Sequence, residues 1–428
     1  MALVSELELP VFDYSDPSMR GERFHAAMNE LRSEGWLAEG PYGYIVLDRE
    51  AGEFFLRTRS AIFPGMKIAE IFDVRKGPLY EQMRRNILHV NGPDHTRLRS
   101  LVNPVLSPRA VERYRPAMRE FLKELFTQAT EGAVAGGPDG GGADGGEASE
   151  GIVRCEFVEA FAKPYPSLTI AMVMGAPLKD APRLHHWSNW IQRQFDAASM
   201  ASEREQIEQA VEEFFQYARA LIEARRENPG DDLISRLIEA EDEGDRLDEM
   251  ECINLVFNVL VGGVDTSQSQ LAHTVRLLAE HPEQWARLAE DPTLAGRAVE
   301  ESLRYEPITP FTARITTEEV SFRDVRFPEG TIVMVCAFTG NRDLGEDVAG
   351  EGGPERFDIT AERGKARALT FGAGVHYCLG ANLAWVELQE ALSFLAPRMR
   401  GLELDGEPVY ESITGIYGLA ELPITFSV

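Results

Sequence analysis

The sequence predicts a mainly α-helical protein with a small, segregated β portion. Apolar side chains recur at spacings of three and four residues over long stretches, as they do over residues 207–226. Strand signals are few and short, at residues 44–47, at residues 331–335 and near the C-terminus. Hydrophobic residues make up 44% of the 428, enough to bury a large core. We expect one domain over residues 1–428.

One segment differs sharply from this composition. Residues 131–151 contain nine glycines among 21 residues and have almost nothing to bury. Strong helical patterns lie on both sides, so the segment is interpreted as a flexible surface insertion within the domain rather than a linker between domains.

Charge and cysteine usage exclude several classes of protein. The chain has 43 Lys+Arg against 70 Asp+Glu, a net charge of −27, with no basic stripe to bind nucleic acid. The N-terminus lacks the pattern of a signal peptide, and no apolar run reaches the ~18 residues of a membrane span. The four cysteines are scattered, which argues against a disulfide framework or a structural zinc site. We expect a cytoplasmic protein with no membrane or nucleic-acid partner.

The longest predicted helix follows the capping-box pattern Asp248-x-x-Glu251. No proline follows until Pro282, which allows about 30 residues, or roughly 45 Å. Residues 253–264 are apolar nearly all round, as in a helix that crosses the interior of a protein.

This helix contains the sequence Gly262-Gly263-Val264-Asp265-Thr266. Two glycines inside a helix are unfavourable, so their presence indicates a need for backbone room. The Thr266 hydroxyl can bond the Gly262 carbonyl and loosen the helix, so that a carboxylate and a hydroxyl border a small groove suited to proton delivery. A helix–helix contact through small residues, with a solvated Asp265, is the alternative.

Cys378 lies in the segment Phe371-Gly-Ala-Gly-Val-His-Tyr-Cys378-Leu-Gly-Ala, just before a predicted helix. The helix dipole and free N–H groups at that position favour a thiolate, the form that binds metals. Gly372 and Gly374 allow the loop to wrap the sulfur, and Gly380 lets a flat group approach the backbone. A lone cysteine is more often an inert core residue, but the complete F-G-x-G-x-H-x-C-x-G string favours a ligand.

This string resembles the haem-binding segment of the cytochrome P-450 family of haem-thiolate monooxygenases. The resemblance implies the family's fold, with the long central helix crossing above the haem. It implies that Cys378 is the axial ligand of haem b (iron protoporphyrin IX) and that His376 contacts a haem propionate. Phe371, Gly372 and Gly380 would complete the cofactor-binding loop.

The resemblance also assigns roles to the long helix. Gly262 and Gly263 would face the cofactor, Asp265 would supply protons, and Thr266 would hold the oxygen substrate.

Two basic segments match the family's propionate-binding positions. His95 and Arg99 lie one helical turn apart on the same face, and Arg314 follows Phe311-Thr-Ala. Each alone would be interpreted as a surface residue, but together with the cysteine string they are expected to contact haem.

Glu301 and Arg304 resemble the family's Glu-x-x-Arg pair, which joins a later arginine to brace the haem-binding core. We assign that third position to Arg356, in Pro354-Glu-Arg356-Phe357. Loss of this structural set should prevent haem incorporation.

The resemblance implies insertion of one oxygen atom of O2 into a lipophilic small molecule, with hydroxylation as the expected reaction. The positions matching the family's pocket are mostly apolar, at residues 66–79, 255–259, 308–311 and 413–417. The chain has no flavin or iron–sulfur motif, so electrons should come from a separate ferredoxin and ferredoxin reductase. The basic cluster Arg363-Gly-Lys365-Ala-Arg367 is either the ferredoxin docking site or an ordinary solvated loop.

Two other functions stay open: a peroxide-driven haem-thiolate peroxygenase, and a non-catalytic haem carrier or sensor. Neither has an evident use for the Asp265–Thr266 pair. Three positions depart from the family pattern: Asn91 and Leu344, which replace a more usual Asp and Pro, and Trp385, which stands where Arg is usual.

Overall fold

The computed structural model of the chain describes residues 1–131, 151–242, 247–343, 353–363 and 367–428. Most of the Gly-rich insertion (residues 132–150) lies outside the described residues, as do Leu344 and Lys365.

Helices dominate the described chain, as the apolar periodicity predicts. In chain order they are α1 (Gly21–Glu34), α2 (Arg49–Arg57), α3 (Gly65–Ile71), α4 (Pro78–Arg85), α5 (Gly92–Leu106), α6 (Pro108–Val111), α7 (Arg115–Glu131), α8 (Pro164–Met174), α9 (Ala181–Gln192), α10 (Ala197–Ser202), α11 (Arg204–Glu227), α12 (Leu233–Asp242), α13 (Glu249–Gly263), α14 (Asp265–Glu280), α15 (Pro282–Glu290), α16 (Ala295–Tyr305), α17 (Ala337–Gly340) and α18 (Ala381–Leu395). Among the described residues, no helix combines the length and apolar character needed to cross a bilayer.

The strands are short and segregated from the helices. They are β1 (Ala2–Leu3), β2 (Leu37–Gly40), β3 (Gly43–Val46), β4 (Ala61–Ile62), β5 (Ile152–Glu156), β6 (Phe311–Thr316), β7 (Val320–Phe322), β8 (Val325–Phe327), β9 (Ile332–Cys336), β10 (Arg400–Leu404), β11 (Val409–Tyr410), β12 (Leu419–Glu421) and β13 (Pro423–Ser427). The strands predicted at residues 44–47 and 331–335 correspond to β3 and β9. The predicted fold class is therefore confirmed.

The largest sheet has the strand order β2-β3-β9-β6-β4. Strand β3 pairs parallel to β9, with Tyr44 opposite Val333, and β6 pairs antiparallel to β9, with Arg314 opposite the same residue. Smaller sheets have the orders β1-β8-β7, β10-β13-β5 and β11-β12. The large sheet thus holds Arg314 in an interior strand, between β9 and β4.

The long central helix is bent rather than continuous. The capping box forms as predicted, with the Asp248 carboxylate accepting from the Glu251 N–H at 2.7 Å. Helix α13 ends at Gly263 and α14 begins at Asp265, so the expectation of one unbroken helix is wrong at Val264. The Thr266 hydroxyl donates to the Gly262 carbonyl at 2.7 Å, the side-chain bond that loosens the helix here.

Helix α18 connects the parts of the molecule that carry the site. It packs against α7, α14 and α16. Trp385, in α18, covers Gly296 of α16: a Cβ on that glycine would lie 3.1 Å from the indole ring. Trp385 therefore fills the contact between α18 and α16.

Candidate functional site

The Cys378 loop folds tightly just before α18. The Cys378 N–H donates to the Phe371 carbonyl at 2.9 Å, which closes the loop. Gly372 and Gly374 have φ of +67° and +72°, a conformation that disfavours any side chain. A Cβ on Gly374 would also lie 2.6 Å from the Leu56 carbonyl oxygen. The glycines of the string are thus required by the shape of the loop.

Cys378 is half-buried, and its sulfur lies near several positively polarised groups. Burial raises the pKa of the Cys378 thiol, whereas the N–H groups of Gly380 and Ala381 and the Arg99 guanidinium lower it. Arg99 is held in place by a 2.8 Å hydrogen bond from its Nη2 to the Tyr377 carbonyl. These donors would stabilise a thiolate once a cation is bound to it.

Three basic residues, His95, Arg99 and Arg314, gather around His376 of this loop. The His95 and His376 rings are 4.2 Å apart, and burial lowers the pKa of Arg314 to about 10. Arg314 is 3% exposed, and its Nη1 donates to the carbonyl of Ala313. Within the described residues, neither Arg99 nor Arg314 forms an ion pair with a carboxylate. The cluster therefore has the composition of a site for an anionic ligand.

The histidines of this cluster also have unused ring nitrogens. Asn91 Oδ1 lies 3.0 Å from His376 Nε2, and Asn91 Nδ2 donates to the His89 carbonyl at 3.1 Å. His376 Nδ1 and His95 Nε2 are buried and have no hydrogen-bond partner among the described residues. Burial and the neighbouring His95 lower the pKa of His376 to about 3. A bound anion would act in the opposite direction and raise the pKa of His376, because it stabilises the charged imidazolium.

A cavity of about 480 Å³ separates the Cys378 loop from the bend between α13 and α14. Phe371, Cys378 and Thr266 all line it. A Cβ built on Gly262, Gly372 or Gly380 would meet no atom within 4 Å. The cavity therefore has free space next to these three glycines, as a flat ligand would require.

Gly263 serves a different contact. It borders the cavity, but a Cβ on it would lie 2.3 Å from Ile170 Cδ1 of α8. The helix–helix alternative thus describes this glycine better, whereas Gly262 faces open space.

Asp265 and Thr266 are adjacent in sequence but face different surroundings. Thr266 lines the cavity. Asp265 is 4% exposed and turns toward α9, where its carboxylate accepts hydrogen bonds from Ser188 Oγ and, at 3.3 Å, from Asn189 Nδ2. Burial raises the pKa of Asp265. The expectation that both groups border one groove holds for Thr266 only. No sequence signal pointed to Ser188 or Asn189.

Glu301 and Arg304 form a buried, bidentate ion pair with N–O distances of 2.7 and 2.8 Å. The third partner is Arg363, whose Nη2 lies 2.9 Å from Glu301 Oε1, and the assignment of Arg356 is wrong. The Arg356 side chain is exposed, and the residue contributes its carbonyl oxygen, which accepts from Arg304 at 3.1 Å and from Arg363 at 2.7 Å. Seven residues further along the chain, Arg363 is the guanidinium that reaches the buried carboxylate.

The contact between Arg363 and Glu301 also corrects the interpretation of the segment Arg363-Gly-Lys365-Ala-Arg367 as a docking site. The Arg363 side chain is 12% exposed and bound to Glu301, so it is not a free docking charge. Lys365 lies outside the described residues. Arg367 is exposed, with its guanidinium 5.8 Å from the centre of the Tyr377 ring.

Comparisons with known proteins agree with this geometry. The family model described as Cytochrome P450 matches residues 184–396. The luteothin monooxygenase of Streptomyces thioluteus is 32% identical over 423 residues, which cover 98% of this chain and 96% of that protein. The mycinamicin IV hydroxylase/epoxidase of Micromonospora griseorubida is 34% identical over 326 residues, covering 76% of this chain and 75% of that protein.

Solved structures show the same fold. CalO2 superposes with a TM-score of 0.85 at 28% identity, covering 98% of this chain and 99% of that one. P450BioI, solved in complex with hexadec-9Z-enoic acid ligated acyl carrier protein, superposes with a TM-score of 0.80 at 28% identity, covering 95% and 99%.

The chain belongs to the cytochrome P450 family. It is a haem-thiolate monooxygenase, and members of this family bind haem b through a cysteine thiolate. The residues present fit that cofactor: the guanidinium groups of Arg99 and Arg314 suit two propionates, and the open space next to Gly262, Gly372 and Gly380 suits a flat macrocycle.

Proposed function

We propose that Cys378 supplies the thiolate to haem b and that His95, Arg99, Arg314 and His376 bind its propionates. The observation that carries this assignment is the basic cluster: the guanidinium groups of the half-buried Arg99 and the buried Arg314 lie at the Cys378 loop without a carboxylate partner among the described residues, with the rings of His95 and His376 beside them. Such a cluster is unfavourable by itself and is stabilised by an anionic ligand.

Haem, when bound, supplies reductive activation of dioxygen and transfer of an oxygen atom to the substrate. The protein's part at this site is to orient groups and to supply protons. The Thr266 hydroxyl hydrogen is directed to the Gly262 carbonyl. The lone pairs of the hydroxyl oxygen are therefore free to accept a hydrogen bond from a proton donor in the cavity. Thr266 thereby positions a proton donor where oxygen is activated.

Asp265 would hold the proton that is delivered. Its buried carboxyl has a raised pKa and therefore retains a proton to higher pH than an exposed aspartate. Ser188 and Asn189 of α9 fix its orientation. Because Asp265 faces α9 while the adjacent Thr266 lines the cavity, the proton would pass between them at the bend.

We propose that the substrate is a lipophilic small molecule and that its hydroxylation is the reaction. Apolar side chains contribute much of the cavity wall beyond the Cys378 loop, among them Phe63, Ile87, Leu255 and Ile308. Two relatives are named for the molecules luteothin and mycinamicin IV. Closure of an apolar cavity around such a molecule excludes water from the reaction.

We propose further that electrons come from a ferredoxin and a ferredoxin reductase, because the sequence carries no flavin or iron–sulfur motif. Docking would involve the exposed Arg367, close to the Cys378 loop. An Arg367→Glu variant should flatten the salt dependence of the reduction rate, whereas Arg326→Glu, on the β1-β8-β7 sheet, should not. Unchanged salt dependence in Arg367→Glu would exclude docking at this residue.

The experiment that tests this function is turnover with isotope-labelled dioxygen, NAD(P)H, ferredoxin and reductase. We expect one labelled oxygen atom in each product molecule and little product with hydrogen peroxide alone. Product formed only with peroxide would indicate a peroxygenase instead. Haem-loaded protein that turns over no member of a broad lipophilic library would indicate a carrier or sensor.

A further inference from the structure

One side of the cavity is bounded by two segments that are far apart in the chain. Residues 193–203 connect α9 to α11 and include α10; we call them the covering loop. Residues 411–418 connect β11 to β12; we call them the C-terminal turn. Phe195 and Ala197 of the loop and Thr414 of the turn line the cavity. The contact between the two segments therefore lies at the cavity wall.

A single carboxylate joins the covering loop to the C-terminal turn. The hydroxyl groups of Thr414 and Ser412 both contact Asp196 Oδ1, the second at 3.4 Å. Their two oxygens are 2.8 Å apart. The main chain also approaches closely, because a Cβ on Gly415 would lie 3.6 Å from Asp196 Cβ. A carboxylate only accepts hydrogen bonds, so the Thr414 hydroxyl is the donor in its contact with Asp196.

The covering loop itself orients this carboxylate. Asp196 Oδ2 accepts from the Ser199 N–H at 2.9 Å, the N-cap contact of α10. One oxygen of Asp196 is thus bound within the loop, and the other is directed at the C-terminal turn. Hydrogen bonds to a charged acceptor are roughly twice as strong as those between neutral groups. The contact is therefore strong enough to hold two segments together at the protein surface.

An ion pair closes the covering loop at its base. Arg193 Nη1 lies 2.9 Å from both carboxylate oxygens of Glu203, which joins the two ends of the loop. Met200, inside the loop, is buried. The Phe195 ring lies 6.5 Å from the ring of Phe63, another residue of the cavity wall. Compact loops whose ends meet are frequently functional, and this one is closed over the cavity in this structure.

The elements that meet at this contact are small. Helix α10 has six residues, and β11 and β12 form a two-stranded sheet apart from the other sheets. Elements with few buried contacts open locally at a lower free energy than core helices. The contact between the covering loop and the C-terminal turn is therefore the part of the wall that we expect to open.

A helix cap alone is the alternative role for Asp196. Loss of a cap lowers the stability of the folded protein but leaves the path of a ligand closed. Loss of a contact that holds the loop closed has a different effect, because the ligand then passes faster in both directions. Kinetic measurements of ligand binding therefore distinguish the two roles.

We propose that the contact of Asp196 with Thr414 and Ser412 is a latch that keeps the covering loop closed and limits the rate at which ligands enter and leave the cavity. Asp196 is not one of the described residues that line the cavity, so the latch acts whether or not a ligand is present. Its removal should raise the open fraction of the free and the ligand-bound protein by the same factor. This inference rests on the proposed monooxygenase function, in which a substrate crosses the wall in each turnover.

The test measures ligand-binding kinetics of the haem-loaded ferric protein by stopped-flow absorption at the Soret band. The probe is 4-phenylimidazole, whose ring nitrogen binds ferric haem iron and shifts this band. We expect Asp196→Ala and Thr414→Val each to raise the association and dissociation rate constants about 3- to 10-fold, the effect of one hydrogen bond. The dissociation constant should change by less than about 2-fold.

Two features of the variants separate the latch from the helix cap. Thr414→Val leaves the cap of α10 in place, so a faster exchange of ligand in this variant does not come from that helix. The double variant Asp196→Ala/Thr414→Val should have the rate constants of the faster single variant, because both substitutions break the same contact.

Asp291→Ala is the matched control. Asp291 accepts from the Thr293 N–H at 3.1 Å and from the Thr293 hydroxyl at 2.6 Å, at the start of the short helix Pro292–Leu294. It makes the same two kinds of contact as Asp196, a helix cap and a threonine hydroxyl bond, but does not line the cavity. Both rate constants should keep their native values in this variant.

Native rate constants in both single variants, additive effects in the double variant, or equal effects in Asp291→Ala would overturn the inference. Faster dissociation without faster association would also overturn it, because these residues would then hold the ligand rather than the loop. The carbon monoxide adduct of the same samples separates this result from the proposed function. A thiolate-type adduct with native rate constants in the variants contradicts the latch alone, whereas its absence in the native protein contradicts the haem-thiolate assignment.

Discussion

Arg363 Nη2 lies 2.9 Å from Glu301 Oε1, and this contact joins a loop near the Cys378 segment to the buried Glu301–Arg304 pair. Arg363 also donates to the Arg356 carbonyl, so it holds both a carboxylate and the intervening main chain. The geometry identifies Arg363 as the residue that braces this region.

Arg363→Ala should therefore destabilise the protein and reduce haem incorporation. We expect a loss of about 2 kcal/mol in the free energy of unfolding, the range for a hydrogen bond to a charged group. The measurement is urea unfolding of the apoprotein together with the haem-to-protein ratio after expression. Arg356→Ala is the matched control, because its side chain is exposed, and should change neither quantity. A larger effect at Arg356 would contradict the observed arrangement.

Thr266→Ala should separate electron consumption from product formation. The substitution removes the hydroxyl that bonds Gly262 and lines the cavity. We expect NAD(P)H oxidation to continue while product per NAD(P)H falls about 10-fold or more, with hydrogen peroxide in its place. Thr266→Ser keeps the hydroxyl and should retain most of the coupling. Unchanged product yield in Thr266→Ala would remove the argument for a proton-positioning role.

Glu387 should make the stability of the protein depend on pH. Burial raises the pKa of this α18 carboxyl from 4.5 to about 7. Between these values the folded state keeps a proton that the unfolded state has released, so stability falls as pH rises through this window. The difference amounts to about 3 kcal/mol. Glu387→Gln should remove that part of the slope in unfolding experiments at pH 5 and pH 8; an unchanged slope would show that other groups cause it.

Arg314→Leu should have opposite effects on the apoprotein and on cofactor binding. The buried guanidinium lowers the stability of the apoprotein, since burial depresses the pKa of Arg314. We expect the variant apoprotein to be more stable by about 2 kcal/mol and to lose haem faster. Transfer of haem to an apomyoglobin acceptor measures the second effect. A variant that is less stable but retains haem normally would contradict the propionate assignment.

Much of this site could be predicted because its residues are close together in sequence. The Cys378 loop has glycines whose positive φ is set by local backbone sterics, and the Thr266–Gly262 bond joins residues one helical turn apart. Both are properties of a short segment, so the local pattern was sufficient.

Contacts between distant segments were harder to predict. Arg356 and Arg363 are both arginines at plausible spacing, and the choice between them depends on the path of the chain near Glu301. The bonds of Asp265 to Ser188 and Asn189 of α9 likewise depend on tertiary packing. No period or motif encodes these contacts, so the sequence alone could not place them.

The measurement that tests the central claim most directly is the absorption spectrum of the carbon monoxide adduct in Cys378→Ser, compared with the native protein and with Cys155→Ser. Cys155, a half-buried cysteine in β5, serves as the matched control. We expect the thiolate-type Soret band in the native protein and in Cys155→Ser, and its loss in Cys378→Ser. An unaltered thiolate band in Cys378→Ser would show that another residue ligates the iron.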